Sequence, residues 1–155
     1  MKFKRTKMNA IGSGVALGLA AMSAQAADQP TLTTAGAQSS AVFTGGATIN
    51  GGASFLSAVP ADSSVDFLVT IKPAAADVGK VGNLVVILNV PGLGFFNQNS
   101  SGSFVPWTES DPIVAVSTKT LAASEPLSLL TGLVGSAFGV MGYEVQAYVG
   151  YYTDT

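Results

Sequence analysis

Residues 64–72 alternate at period two. Val65, Phe67, Val69 and Ile71 fall on one face, Asp66, Thr70 and Lys72 on the other, and Leu68 is out of pattern. Such alternation is the mark of a half-buried strand. Residues 83–90 (NLVVILNV) form a continuous apolar, mostly β-branched run bracketed by Gly82 and Pro91-Gly92. That length and bracketing specify a central strand rather than a helix. In 143–152, Tyr143, Val145, Ala147, Val149 and Tyr151 share one face, and Glu144, Gln146, Tyr148 and Tyr152 the other. No long amphipathic helical pattern competes with these three segments, so the chain is expected to be all-β.

The connecting stretches carry turn chemistry. Gly45-Gly46 and Gly51-Gly52 supply the positive φ of tight turns and predict strands near 41–44, 47–50 and 53–58. Residues 73–79 end the 64–72 strand with a turn or a single helical turn. A hairpin is expected from 94–98 and 103–107 around Asn99-Ser100-Ser101-Gly102, with Pro106 placing its strand at an edge or a strand end. Residues 113–121 read as a further strand. Glu125-Pro126 is expected to break the chain before the apolar stretch 127–135, a buried strand or a loop with a short helix. Strands separated by turn signals about every 8–12 residues point to an all-β sandwich or barrel, and an antiparallel β-sandwich-like single domain is expected. Only Thr153-Asp154-Thr155 follow the 143–152 strand, where an antiparallel partner is normal, so a final strand is expected to be lacking.

The N-terminus reads as an address. Lys2, Lys4, Arg5 and Lys7 precede an uncharged stretch from Met8 that closes on Ala24-Gln25-Ala26. A basic region, an apolar region and a small-x-small site make a secretory signal peptide. The apolar core, Ile11 to Met22, is too short to cross a bilayer, which needs about 20 residues. The expected organisation is a signal peptide over 1–26, a flexible leader or loose first strand over 27–40, and the β-sandwich-like domain over 41–155. The mature chain is expected to be exported, without a membrane span. It keeps three basic residues, Lys72, Lys80 and Lys119, against all nine acidic ones, a formal net charge of −6. No basic stripe exists for nucleic acid. The chain has neither cysteine nor histidine. Disulfides, Ser-His-Asp and Cys-His catalysis and His-ligated zinc are therefore excluded, and no cofactor is expected.

Several short motifs occur in a telling order: Phe43-Thr44-Gly45-Gly46, Asn50-Gly51-Gly52, Ala75-Ala76-Asp77-Val78-Gly79-Lys80, an apolar strand, the hairpin ending Val105-Pro106-Trp107, and Tyr148-Val149-Gly150-Tyr151. Over residues 40–152 this resembles an uncharacterised β-rich module of exported and surface-associated gammaproteobacterial proteins. The resemblance implies an exported bacterial β-domain whose relatives continue past the final Gly-Tyr with another strand. It implies no catalytic residue.

Candidate site residues are few. Trp107, Phe104, Tyr148, Tyr151 and Tyr152 can form a sugar-stacking platform on a sheet face, because Tyr and Trp join a flat apolar body to a polar handle. The ligand-binding set is Trp107, Tyr148 and Tyr152, with a glycan as the ligand. The plainer reading has Trp107 and Phe104 capping the core and the tyrosines covering sheet edges. Asp62 and Asp66 with Ser63 and Ser64, and Glu109 with Asp111, offer oxygen ligands for calcium. Their spacing fits no EF-hand, and solvated loop carboxylates is the plainer reading. A glycosidase pair drawn from nine acids carries little information. Gly135-x-x-x-Gly139 reads as buried strand or loop rather than a membrane packing face, and Asn99-Ser100-Ser101 as a turn. The functional expectation is an exported non-catalytic β-domain with a structural, adhesive or accessory role at or outside the cell surface. The alternatives are a glycan- or ligand-binding module and a strand-exchanging polymer subunit. The last requires 143–152 to lie at a sheet edge, open to a protein partner or a second copy. A small outer-membrane barrel is disfavoured, since 83–90 lacks a polar face.

Overall fold

The computed structural model describes residues 8–16, 23–24, 31–32, 40–56, 58–137 and 145–153. Its strands are β1 (Met8–Ala16), β2 (Ser23–Ala24), β3 (Thr31–Leu32), β4 (Val42–Thr48), β5 (Phe55–Leu56), β6 (Ser64–Lys72), β7 (Val81–Val90), β8 (Gly94–Gln98), β9 (Phe104–Trp107), β10 (Ser117–Thr120), β11 (Glu125–Val134) and β12 (Gln146–Thr153). One sheet has the order β3-β1-β12-β7-β8-β9, with β10 also on β7; the other has the order β11-β6-β4-β5-β2. The pairings are antiparallel. The two sheets pack face to face, which is the all-β, sandwich-like architecture that the alternation specifies.

The core follows from the period-two pattern. Leu84, Val86 and Leu88 of β7 and Ala147, Val149 and Tyr151 of β12 turn inward from the first sheet. Phe43 and Ala47 of β4, Val65, Phe67 and Ile71 of β6 and Leu129 of β11 meet them from the second. The expected faces of 64–72 and of 145–152 are therefore those observed. β7 lies centrally, between β12 on one side and β8 and β10 on the other. The 94–98/103–107 hairpin turns where expected. Asn99 Oδ1 accepts from the N–H groups of Ser101 and Ser103 at 3.0 Å each, which ties the loop into its turn.

Other expectations need correction. β4 is one strand that runs through Gly45-Gly46 and does not turn there. Gly45 has φ +152°, and a Cβ on it would lie 2.2 Å from the Leu68 carbonyl oxygen. Gly45 allows β4 to press onto β6, while the turn falls at Gly51-Gly52, both with positive φ. Glu125-Pro126 does not break the chain but opens β11, a half-exposed strand at the edge of the second sheet. An edge position tolerates proline because one side of the strand needs no ladder donor. Only 117–120 of the expected 113–121 strand is formed. The strand over 143–152 is not at an edge of the full-length chain: β12 has β7 on one side and β1 on the other. β1 and β2 fall inside the expected signal peptide. Gly139 of the Gly-x-x-x-Gly motif, Tyr143 and Glu144 lie outside the described residues.

Tyr151 ties the end of β12 to the chain after β6. Its buried hydroxyl donates to Asp77 Oδ2 at 2.9 Å and accepts from the Ala74 N–H at 3.0 Å, and Asp77 Oδ1 meets Lys80 Nζ at 3.0 Å. Burial, reinforced by the Asp77 carboxylate, pushes the Tyr151 phenol up to about 12. A native pKa above the unfolded value of about 10 means full stabilisation below pH 10 and loss as pH rises toward 12. Over that window the tyrosine should account for about 2–3 kcal/mol of lost stability. Tyr151→Phe is expected to be less stable at neutral pH by about 1–3 kcal/mol, since the Ala74 N–H loses a buried partner. It should also flatten the alkaline slope. Urea unfolding of both chains from pH 8 to 12 checks this by difference.

Candidate functional site

The hairpin register builds an aromatic group on the face of the first sheet turned away from the core. With the turn at 99–102, Phe95 falls opposite Trp107, and across β7 it approaches Tyr148 of β12. The Phe95 and Trp107 ring centroids lie 6.3 Å apart at 84°, and those of Phe95 and Tyr148 lie 6.4 Å apart at 45°. Beside them, Gln146 Oε1 accepts from Asn89 Nδ2 at 3.1 Å and from the Tyr148 hydroxyl at 3.0 Å. Trp107 Nε1 is buried and has no hydrogen-bond partner among the described residues. Buried donors are rarely left unpaired.

The structure thus brings Trp107 and Tyr148 together but not Tyr152. Tyr152 shares the Tyr148 face but sits four residues on, about 13 Å along the strand. Tyr151 points into the core and Phe104 packs against it, so neither joins the group. Phe95 is the member that sequence reasoning missed; the turn at Asn99 was the signal that places it opposite Trp107. Phe95 is inclined to both of its neighbours, so the three rings do not form one flat plate. A sugar ring would stack on a single side chain, with amide groups of Asn89 and Gln146 alongside.

The groups with the strongest polar character are used to close the fold. β8 and β10 lie end to end along one edge of β7, and Asn97 fills the fork between them. Its Nδ2 faces the carbonyls of Val86 at 3.0 Å, Val114 at 3.1 Å and Gln98 at 3.2 Å, and its Oδ1 accepts from the Val114 N–H at 2.7 Å. Gln98 crosses between the sheets: its Nε2 donates to the Gly102 carbonyl at 3.1 Å and to the Leu129 carbonyl at 3.0 Å, where β11 slips register. Glu125 is buried; Oε1 accepts from the Ala122 N–H at 2.6 Å and Oε2 meets the Lys119 ammonium.

The loop carboxylates also have structural roles. Asp111 Oδ2 accepts from the Thr108 N–H and hydroxyl, each at 2.8 Å. Asp66 Oδ1 accepts from the Gly132 N–H at 2.9 Å. Asp62 and Glu109 are exposed. No group of three or more metal-ligating side chains occurs among the described residues, and none of their helices is long and apolar enough to cross a membrane. No family model, curated protein or solved structure matches the chain.

Proposed function

We propose that this chain is an exported, non-catalytic β-domain with a structural, adhesive or accessory role at or outside the cell surface. The observation that carries the adhesive part is the β8–β9 hairpin. Phe95 and Val105 there are 39% and 45% exposed, and Leu93 in the turn before β8 is 63% exposed, beside Trp107, whose buried N–H has no partner among the described residues. Exposed apolar groups concentrated at one place mark contact surfaces. Export rests on the basic, apolar and Ala-x-Ala pattern of residues 1–26. A non-catalytic role is supported by the lack of histidine and cysteine and by the use of Asn97, Gln98, Asp77 and Glu125 in closing the fold. Protease treatment of intact cells, followed by fractionation, tests the reading. The chain should be cleaved from outside or recovered in the periplasmic extract. Recovery from the cytosol alone overturns it.

The Phe95–Trp107–Tyr148 group favours one second reading, a glycan-binding module. Trp107 is the only tryptophan in the chain, so its fluorescence reports on that site alone. Under this reading, titration with cell-surface oligosaccharides shifts the emission saturably, and Tyr148→Ala weakens binding by about fivefold, as the loss of one aromatic contact of about 1 kcal/mol implies. A spectrum unmoved at millimolar sugar removes the reading.

A further inference from the structure

In the full-length chain the lane beside β12 is filled by β1, with Met8 opposite Tyr152, Gly12 opposite Val149 and Ala16 opposite Gln146. β1 lies wholly within residues 1–26. Cleavage after Ala26, on which this inference rests, removes β1 and makes β12 an edge strand. β12 has none of the features that protect edges. Natural edge strands carry lysine, proline or bulges that block pairing with another chain. Three edge strands of this fold do: β9 contains Pro106, β10 contains Lys119, and β11 contains Pro126 and two register slips. β12 (QAYVGYYT) has no charge and no proline, and pairs with β7 over eight successive residues without a slip. It has the sequence of an interior strand.

We propose that in the processed chain a second copy's β12 occupies this lane, giving a two-fold dimer whose first sheet runs continuously through both subunits. Residues opposite one another in an antiparallel pair share a face, and a one-residue slip would expose Val149 and Tyr151. The two-fold axis therefore passes at Val149 or at Gly150. Either choice keeps Ala147, Val149 and Tyr151 on the core side and Tyr148 and Tyr152 outside. An isologous pair fills both open lanes at once. The chain's own leader is a poorer occupant. β3 is antiparallel to β1, as β12 is, so β3 runs parallel to β12. Sliding it inward would insert a parallel strand into an antiparallel sheet. Residues 27–40 also contain Pro30 and show no alternating apolar face. The core side chains named above lie between residues 43 and 151, so cleavage removes none of them.

The test compares the full-length chain with the same chain cut by signal peptidase, the new N-terminus being read by intact mass. In sedimentation velocity the precursor should run as one chain and the processed form as two. Amides of Gln146–Thr153 should gain exchange protection with rising concentration. A peptide of residues 8–16 with lysines added at its ends should bind the processed form and split the dimer. Tyr148→Lys with Tyr152→Lys, which sets like charges around the axis, should return it to one chain with its β-type circular dichroism intact. If that variant does not fold, the peptide competition decides instead. A processed chain that stays single at high micromolar concentration overturns the proposal, whether its lane is open or filled by its own leader. So does a dimer indifferent to the peptide. A native chain that keeps Met1 overturns the export reading alone, and the chain cut in vitro still decides the dimer.

Discussion

Asn97→Ala is expected to destabilise the domain by about 4 kcal/mol, since it leaves several buried backbone groups without partners at about 1–3 kcal/mol each. The carbonyl of Val86 sits at the fork where β7 passes from β8 to β10, and Asn97 Nδ2 is its donor there. The same side chain pins both the N–H and the carbonyl of Val114, so its loss should also free the 112–116 segment. Asn97→Asp separates chemistry from shape. Aspartate keeps the volume and can still accept from the Val114 N–H, but it turns an oxygen toward the Val86 and Val114 carbonyls. It should therefore be at least as damaging as alanine near neutral pH. Urea unfolding of the three chains decides; a neutral Asn97→Asp would show that only the shape of the side chain matters at the fork.

Gly45→Ala is the second large effect. The added methyl would meet the Leu68 carbonyl at 2.2 Å and the Val69 Cα at 2.7 Å, both backbone atoms with little room to move. Overpacking of this kind costs about 1–3 kcal/mol, and a side chain at positive φ adds about 1–2. The variant should lose about 3–4 kcal/mol, or β4 should lose its register with β6. Gly51→Ala is the control, because a Cβ there meets nothing within 4 Å and only the positive φ opposes it. Equal midpoints for the two variants would show that β4 and β6 are not in close approach at Gly45.

These two residues also show where the sequence was legible. Period-two alternation placed Phe67, Ile71, Val149 and Tyr151 in the core, because a half-buried strand must alternate whatever its neighbours are. The hairpin at Asn99 was legible because its turn is held by its own side chain. Gly45-Gly46 misled because glycine serves both tight turns and close strand contact, and only the position of β6 distinguishes them. Pro126 misled for a similar reason: it stops an interior strand but is tolerated on an edge, and edge position depends on the whole sheet. Asn97 carried no local signal, since its partners at Val86 and Val114 are set by the meeting of β8 and β10. For the candidate site, alternation put Tyr148 and Tyr152 on one face, and their four-residue spacing already set them about 13 Å apart. Joining Phe95 to Trp107 required the hairpin register rather than residue type.

The functional account stands or falls on the N-terminus of the native chain. Intact mass spectrometry of the protein isolated from its own cells measures it directly. The account predicts a chain beginning at Ala27, without the 26 residues that contain β1 and β2, and recovered outside the cytoplasm. A cytosolic chain that still begins at Met1 would contradict it.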